Sequence, residues 1–235
     1  MQFADMSETK KIWLVALGYW LAVSLVCCLA YPLMMSDATA RYAPMADHFA
    51  RGEWDLAFHP KFGVLFQVFS GTIAWVLGVS GDKAVQIAAL GLLAFASVPL
   101  YFLVKDMFGE KVAWWAVAFL LLSDDFTRNS FDGLRESAKC LGFALLGYGM
   151  ASKKSPWFGL GIFVLIASTS YGFGVGSALA FCGAAYFLLC RGFRGILPVI
   201  AGWTLGTACV VAQTYAFTGH WLPSPHYIKL LGGWL

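Results

Sequence analysis

The sequence predicts an all-α, polytopic membrane protein, a helical bundle of about seven transmembrane helices with juxtamembrane helices in its first outer loop. Three observations predict it. Hydrophobic residues make up 60% of the 235 residues and charged ones only 12%, against roughly 45–50% and about 25% in soluble domains. The apolar residues gather in long runs, and about 20 of them suffice to cross a bilayer. Lys and Arg recur in the short turns between runs, as cytoplasmic turns prefer. Little chain is left for anything else, so residues 1–235 read as a single membrane domain.

The first run, Ile12 to Met35, follows Lys10 and Lys11. It is longer than the roughly 7–15 apolar residues of a signal peptide, so we read an uncleaved anchor with a cytoplasmic N-terminus. Further runs lie at 63–79, 84–104, 112–123, 134–150, 157–171, 173–190 and 195–217. If all eight crossed, the turns carrying Lys105/Lys111, Lys153/Lys154 and Arg191/Arg194 would fall outside. Demoting 63–79, which is short and carries Gln67, Ser70, Gly71, Thr72 and Gly78, returns them to the side of Lys10 and Lys11. Seven spans follow, with a first outer loop over about 36–83 and a second over about 123–134.

On this topology Asp37, Asp47, Glu53, Asp55, Asp82, Asp124, Asp125, Asp132 and Glu136 all face outward. Any chemistry is expected there. The formal charge of +3, on scattered Lys and Arg, excludes a nucleic-acid surface, which needs a dense basic stripe. Cys27, Cys28, Cys140, Cys182, Cys190 and Cys209 lie in or beside apolar runs without CxxC spacing, and read as small buried hydrophobes.

Within the outer loops four features stand out. Asp37 follows the first span at the water boundary, where a carboxylate is costly unless solvated or partnered. The stretch after it, through Arg41, Tyr42 and His48 to Gly52, reads as a short amphipathic helix on the membrane. His59 and Lys61 flank a rigid proline, a pairing that suits a lipid phosphate, although Lys61 alone reads more readily as a snorkelling anchor. In the second loop Asp124 and Asp125 precede Arg128. Oxygen ligands of this kind favour Mg²⁺ or Mn²⁺ over zinc, and a solvated charged hairpin is the other reading. The glycines at 172, 174 and 176 follow no strand and read as a tight turn with close helix packing, as do Gly202 and Gly206.

In their order along the chain, Asp37 with Arg41-Tyr42, Gly52-Glu53-Trp54, His59-Pro60, Arg128-Asn129-Ser130 with Leu134 and Glu136, and Tyr215-Ala216-Phe217-Thr218-Gly219-His220-Trp221-Leu222-Pro223 resemble the GT-C superfamily of membrane glycosyltransferases. The nearest likeness is to protein O-mannosyltransferases and aminoarabinose transferases. The resemblance implies the N-terminal conserved seven-helix module and transfer of a sugar from a polyprenyl-phosphate donor to an acceptor at the outer face. It further implies Asp37 as catalytic base, with Arg41, Tyr42, His59, Lys61 and Arg128 toward the substrate and Asp124 or Asp125 at a second acidic position. Positive charge for the leaving phosphate is expected from Arg128, Lys61 or a divalent cation on Asp124 and Asp125, with no other cofactor. The family commonly has a second proline where Lys61 stands. Its enzymes also continue into further helices and often a soluble domain. The alternative expectation is therefore a non-catalytic subunit of the same architecture, a scaffold among other membrane subunits that complete the site. A transporter fits less well, because the predicted spans carry almost no charge at mid-membrane.

Overall fold

A computed structural model describes residues 7–31, 38–59, 63–168 and 172–222 of the chain. All regular structure among them is helical, and every one of the eight apolar runs carries a helix. These are α1 (Glu8–Ala30), α4 (Val64–Leu77), α5 (Gly81–Phe108), α6 (Glu110–Leu122), α8 (Glu136–Ala151), α9 (Ser155–Ser168), α10 (Gly172–Arg191) and α11 (Phe193–Thr218). Three short helices lie between these: α2 (Ala43–Ala50), entered through a π-helical turn at Ala38–Tyr42, and α3 (Trp54–Ala57), both between α1 and α4, and α7 (Asp124–Phe131), between α6 and α8. Among the described residues four helices are long and apolar enough to cross a membrane alone, namely α1, α5, Phe173–Arg191 of α10 and α11. This is a membrane protein by the length and composition of its helices.

The centre of the bundle is α5. Its apolar window is 72% buried, against 22% for that of α1, because α5 is surrounded by α1, α2, α4, α6, α7 and α8. Two hydrophobic clusters form along it. One joins Ala84, Val85, Ala88 and Leu92 to Ala38, Tyr42, Ala46, Phe66 and Ala138. The other joins Leu93, Ala96 and Tyr101 to Ile12, Ala16, Val117 and Leu121. A third lies beyond α8, where Phe158, Ile162 and Ile166 of α9 meet Phe187 of α10 and Val199 and Val210 of α11.

The third cluster is closed by small residues. A Cβ on Gly202 of α11 would overlap the carbonyl oxygen of Gly159 on α9, so the two backbones touch where side chains would hold them apart. Gly206, one turn on, faces Ile166, and Gly176 of α10 faces it too. Gly176, Gly202 and Gly206 act through the close packing expected of them, whereas residues 172–176 are the start of α10 and not a tight turn, and Gly174 has open space beside it.

The ends of α1 fix its direction against α5. Glu8, at the start of α1, forms an ion pair with Lys105 near the end of α5. At the other end Lys83 Nζ, in the first turn of α5, donates to the carbonyl of Tyr31 at 3.0 Å. The two helices are antiparallel, and the chain from Tyr31 to Gly81, α4 included, leaves and returns at one end of the bundle.

The cysteines correct one expectation. Cys27 is buried, Cys28, Cys140 and Cys209 are half-buried, and Cys182 and Cys190 are exposed on α10. Their helix has its outer face free of other helices, so an apolar run there marks surface and not core.

Candidate functional site

One set of polar groups gathers where α1 closes. Gln86 is fully buried in α5, and its Nε2 donates to the carbonyl of Phe131, the last residue of α7, at 2.8 Å, and to that of Tyr31 at 3.4 Å. The Tyr31 and Phe131 rings pack with centroids 5.1 Å apart. Helix-terminal carbonyls have no intrahelical partner, so one amide and the Lys83 ammonium satisfy the exits of two helices that lie 100 residues apart in the chain. Asp132, directly after α7, is buried at 5% exposure. Beside it Ser130 and Ser137 share a hydrogen bond of 2.8 Å that ties α7 to α8.

The segment between α1 and α4 seats on the same end of α5. Asp47 Oδ1 accepts from the backbone N–H of Gly81 at 2.6 Å, a carboxylate on the first N–H of a helix, where the dipole favours it. A Cβ at Gly81 would overlap the Ala43 carbonyl, so α2 lies directly against the start of α5. Ala38, the residue after Asp37, is fully buried within the cluster that also holds Ala84, Ala88 and Ala138.

Two cavities flank the segment Phe58-His59. One, of about 390 Å³, is lined by Ala40, Arg41, Pro44, Met45, His48, Leu56 and His59. A guanidinium and two imidazoles thus border a single half-enclosed space. The other, of about 550 Å³, is lined by Trp54, Phe58, Val64, Ala212, Ala216 and Phe217 together with Asp55, Cys209 and Gln213. It is mostly apolar and runs between the first loop and the end of α11.

At the rim of the first cavity His48, Arg51 and Glu53 form a cluster. His48 Nδ1 lies 2.5 Å from Glu53 Oε2, to which Arg51 also donates at 3.1 Å. The Arg51 guanidinium, with His48 adding to it, holds the Glu53 carboxyl below the usual carboxylate range. This cluster closes the turn at Gly52, between α2 and α3.

Of the residues singled out from the sequence, Arg41 and His59 come together on the first cavity. Tyr42 instead turns into the core, 4% exposed, with its ring edge-on to Phe66 at 5.4 Å. Asp37 and Lys61 lie outside the described residues. Asp124, Asp125 and Arg128 are exposed on α7 and make no ion pair among the described residues. Their helix packs on α5, α6 and α8, away from the cavity of His59. Among the described residues no group of three or more His, Cys, Asp or Glu is placed to hold a metal. As consecutive residues, Asp124 and Asp125 leave α7 about 100° apart. Alone they do not make a cation site.

Sequence reasoning missed Lys83, Gln86, Asp132, His48 and Gln213. The signal for Gln86 and Gln213 was present, since each is an amide inside an apolar run, where an uncharged polar group needs a partner. No family model, curated protein or solved structure matches this chain.

Proposed function

We propose that the chain is a membrane glycosyltransferase of the GT-C kind that moves a sugar from a polyprenyl-phosphate donor to an acceptor hydroxyl or lipid. The observation that carries the proposal is the pair of cavities on either side of Phe58-His59. A space bordered by Arg41, His48 and His59 suits a phosphate, through charge-assisted hydrogen bonds, and the adjoining apolar groove suits the isoprenoid chain. Lys61, two residues after His59, belongs with this group in the proposal.

Asp37 serves as base. It takes the proton of the acceptor hydroxyl while that oxygen bonds to the anomeric carbon from the face opposite the leaving group. The bond from the anomeric carbon to the phosphate oxygen breaks, its electron pair leaves with the lipid phosphate, and configuration inverts. A phosphate leaves without a general acid, so one carboxylate suffices where glycoside hydrolysis needs two. Arg41 and the imidazoles stabilise the departing charge in a site of low dielectric. No step runs through a cation.

Seven passes through the membrane belong to the same proposal. The contacts alternate ends in support of it: Glu8 with Lys105 at one end, Tyr31 with Lys83 and Gln86 at the other, then Tyr186 with Met150 and Gln213 with His59. The basic turns then gather on the Lys10 and Lys11 side, which the preference of cytoplasmic turns for Lys and Arg makes cytoplasmic.

The test is binding of decaprenyl phosphate to the full chain in nanodiscs, with Asp37→Asn and Arg41→Gln as comparisons. The wild type and Asp37→Asn bind alike, Arg41→Gln binds about tenfold or more weakly because a charge-assisted bond is lost, and only Asp37→Asn keeps affinity while losing transfer. A folded wild-type protein that ignores decaprenyl phosphate would refute the donor assignment and favour the scaffold alternative. Near-normal transfer by Asp37→Asn would remove Asp37 as base.

A further inference from the structure

Two amides inside the bundle converge on one backbone oxygen. Gln67 of α4 is 2% exposed and Gln213 of α11 is 8% exposed. Gln67 Nε2 donates to the carbonyl of His59 at 3.2 Å, and Gln213 Nε2 donates to the same carbonyl at 3.0 Å. Gln213 Nε2 also donates to Gln67 Oε1 at 3.1 Å, so the pair is bonded to itself as well. A buried amide is costly unless its donors are satisfied. In this arrangement helices 146 residues apart both direct their donors at a residue that belongs to neither.

The imidazole of the same residue is held from the same side. Its ring packs on Phe217 with centroids 4.9 Å apart. Phe217 lies four residues after Gln213 and thus shares its face of α11. One face of α11 therefore holds both the backbone and the ring of His59, and His59 lines the cavity with Arg41 and His48.

We infer that Gln67 and Gln213 are positioning residues that hold the His59 imidazole at the phosphate cavity, so that the setting of α11 determines how well the cavity is formed. This rests on the reading of that cavity as a phosphate site and names the residues that shape it. The clamp also separates the two cavities, because Gln213 and Phe217 line the apolar groove on the far side. A displacement of α11 would change the headgroup space and the chain groove together.

The experiment uses the full chain in nanodiscs with ¹⁵N-labelled histidine, the His59 signal being assigned by its disappearance in His59→Asn. Gln67→Met and Gln213→Met keep side-chain length and remove the donors. Phe217→Leu is a second route that leaves both amides in place. Each is expected to shift or broaden the His59 signal while that of His220 stays put. Each Met variant is further expected to weaken decaprenyl phosphate binding about tenfold, the size of one lost hydrogen bond. Combined with His59→Asn, the Met variants should add nothing to the loss, because residues acting through one group are not additive. A purely architectural role for the amides predicts an unmoved His59 signal in folded variants, or losses that add to that of His59→Asn, and either result overturns the inference. If the wild type binds no decaprenyl phosphate, the phosphate reading fails by itself, and the imidazole spectra still decide whether the clamp sets His59.

Discussion

The bundle has two flanks, one around α5 and one beyond α8, and different physics holds each. On the first flank α1, α2 and α7 converge on the first turns of α5 through donors aimed at backbone carbonyls and a carboxylate aimed at a backbone N–H: Lys83 to Tyr31, Gln86 to Phe131, Asp47 to Gly81. On the other, beyond α8, the helices α9, α10 and α11 meet through glycines, Gly202 on Gly159, Gly176 on Ile166 and Gly183 on Phe158. The glycine flank is complementary chiefly in shape, with one side-chain hydrogen bond, from Trp203 Nε1 to Ser177 Oγ at 2.9 Å, joining α11 to α10. The polar flank orders chain ends, which is what a site built from loops requires. Gln213 is where the flanks join, since it reaches from the glycine-packed α11 to His59.

The largest effect is expected on the glycine flank. Gly202→Leu forces a side chain into the Gly159 carbonyl and should cost about 3 kcal/mol or more, the upper range for overpacking. Loss of monodisperse protein in detergent, or a collapsed melting temperature, is the readout. An unchanged melt would mean that α9 and α11 do not pack as described.

A smaller effect follows on the polar flank. Gln86→Leu keeps the volume of the side chain but leaves the Phe131 carbonyl without the amide that bonds it, a loss of about 1–3 kcal/mol. Hydrogen exchange should show α7 loosened while α9 and α10 stay protected. Uniform loss of protection would erase the contrast between the flanks.

The smallest effect is at the rim. Because Glu53 is held below its ordinary range by Arg51 and His48, its contribution is present above the unfolded carboxylate pKa. It is lost as pH falls through the lower folded value. Acidification through and below the usual carboxylate range should therefore loosen the turn around Gly52, as a fluorescence change of the nearby Trp54. Glu53→Gln should make that signal insensitive to pH over the same range. A persistent transition in that variant would assign it to another group.

Helices were legible wherever hydrophobicity was continuous, and all eight apolar runs carry one. The demotion of 63–79 rested on the basic turns and on the shortness and polar residues of that run, and α4 is one of two shorter apolar helices, with α9 the other, among the described residues. The second loop was harder. Read as a charged hairpin, it contains the eight-residue helix α7, whose propensity was masked by its charge. Neighbouring acids in it then take opposite fates. Asp124 and Asp125 sit in the exposed first turn, while Asp132 follows the helix into the protein. No pattern in one sequence distinguishes them, because the difference depends on α5 and α8 packing against the end of α7. Tyr42 likewise resembled a surface residue next to Arg41, and one helical step turned it into the core against Phe66.

Cysteine labelling with a membrane-impermeant thiol reagent tests the account most directly. In a background lacking the native cysteines, Met45→Cys lies on the cavity of Arg41 and His59, Asp125→Cys lies on α7, and Lys153→Cys lies in the turn between α8 and α9. The account predicts that the first two react from one side of sealed vesicles and the third only from the other. Reaction of Met45→Cys and Asp125→Cys from opposite sides would contradict the shared end of the bundle at which Gln86 joins the exits of α1 and α7.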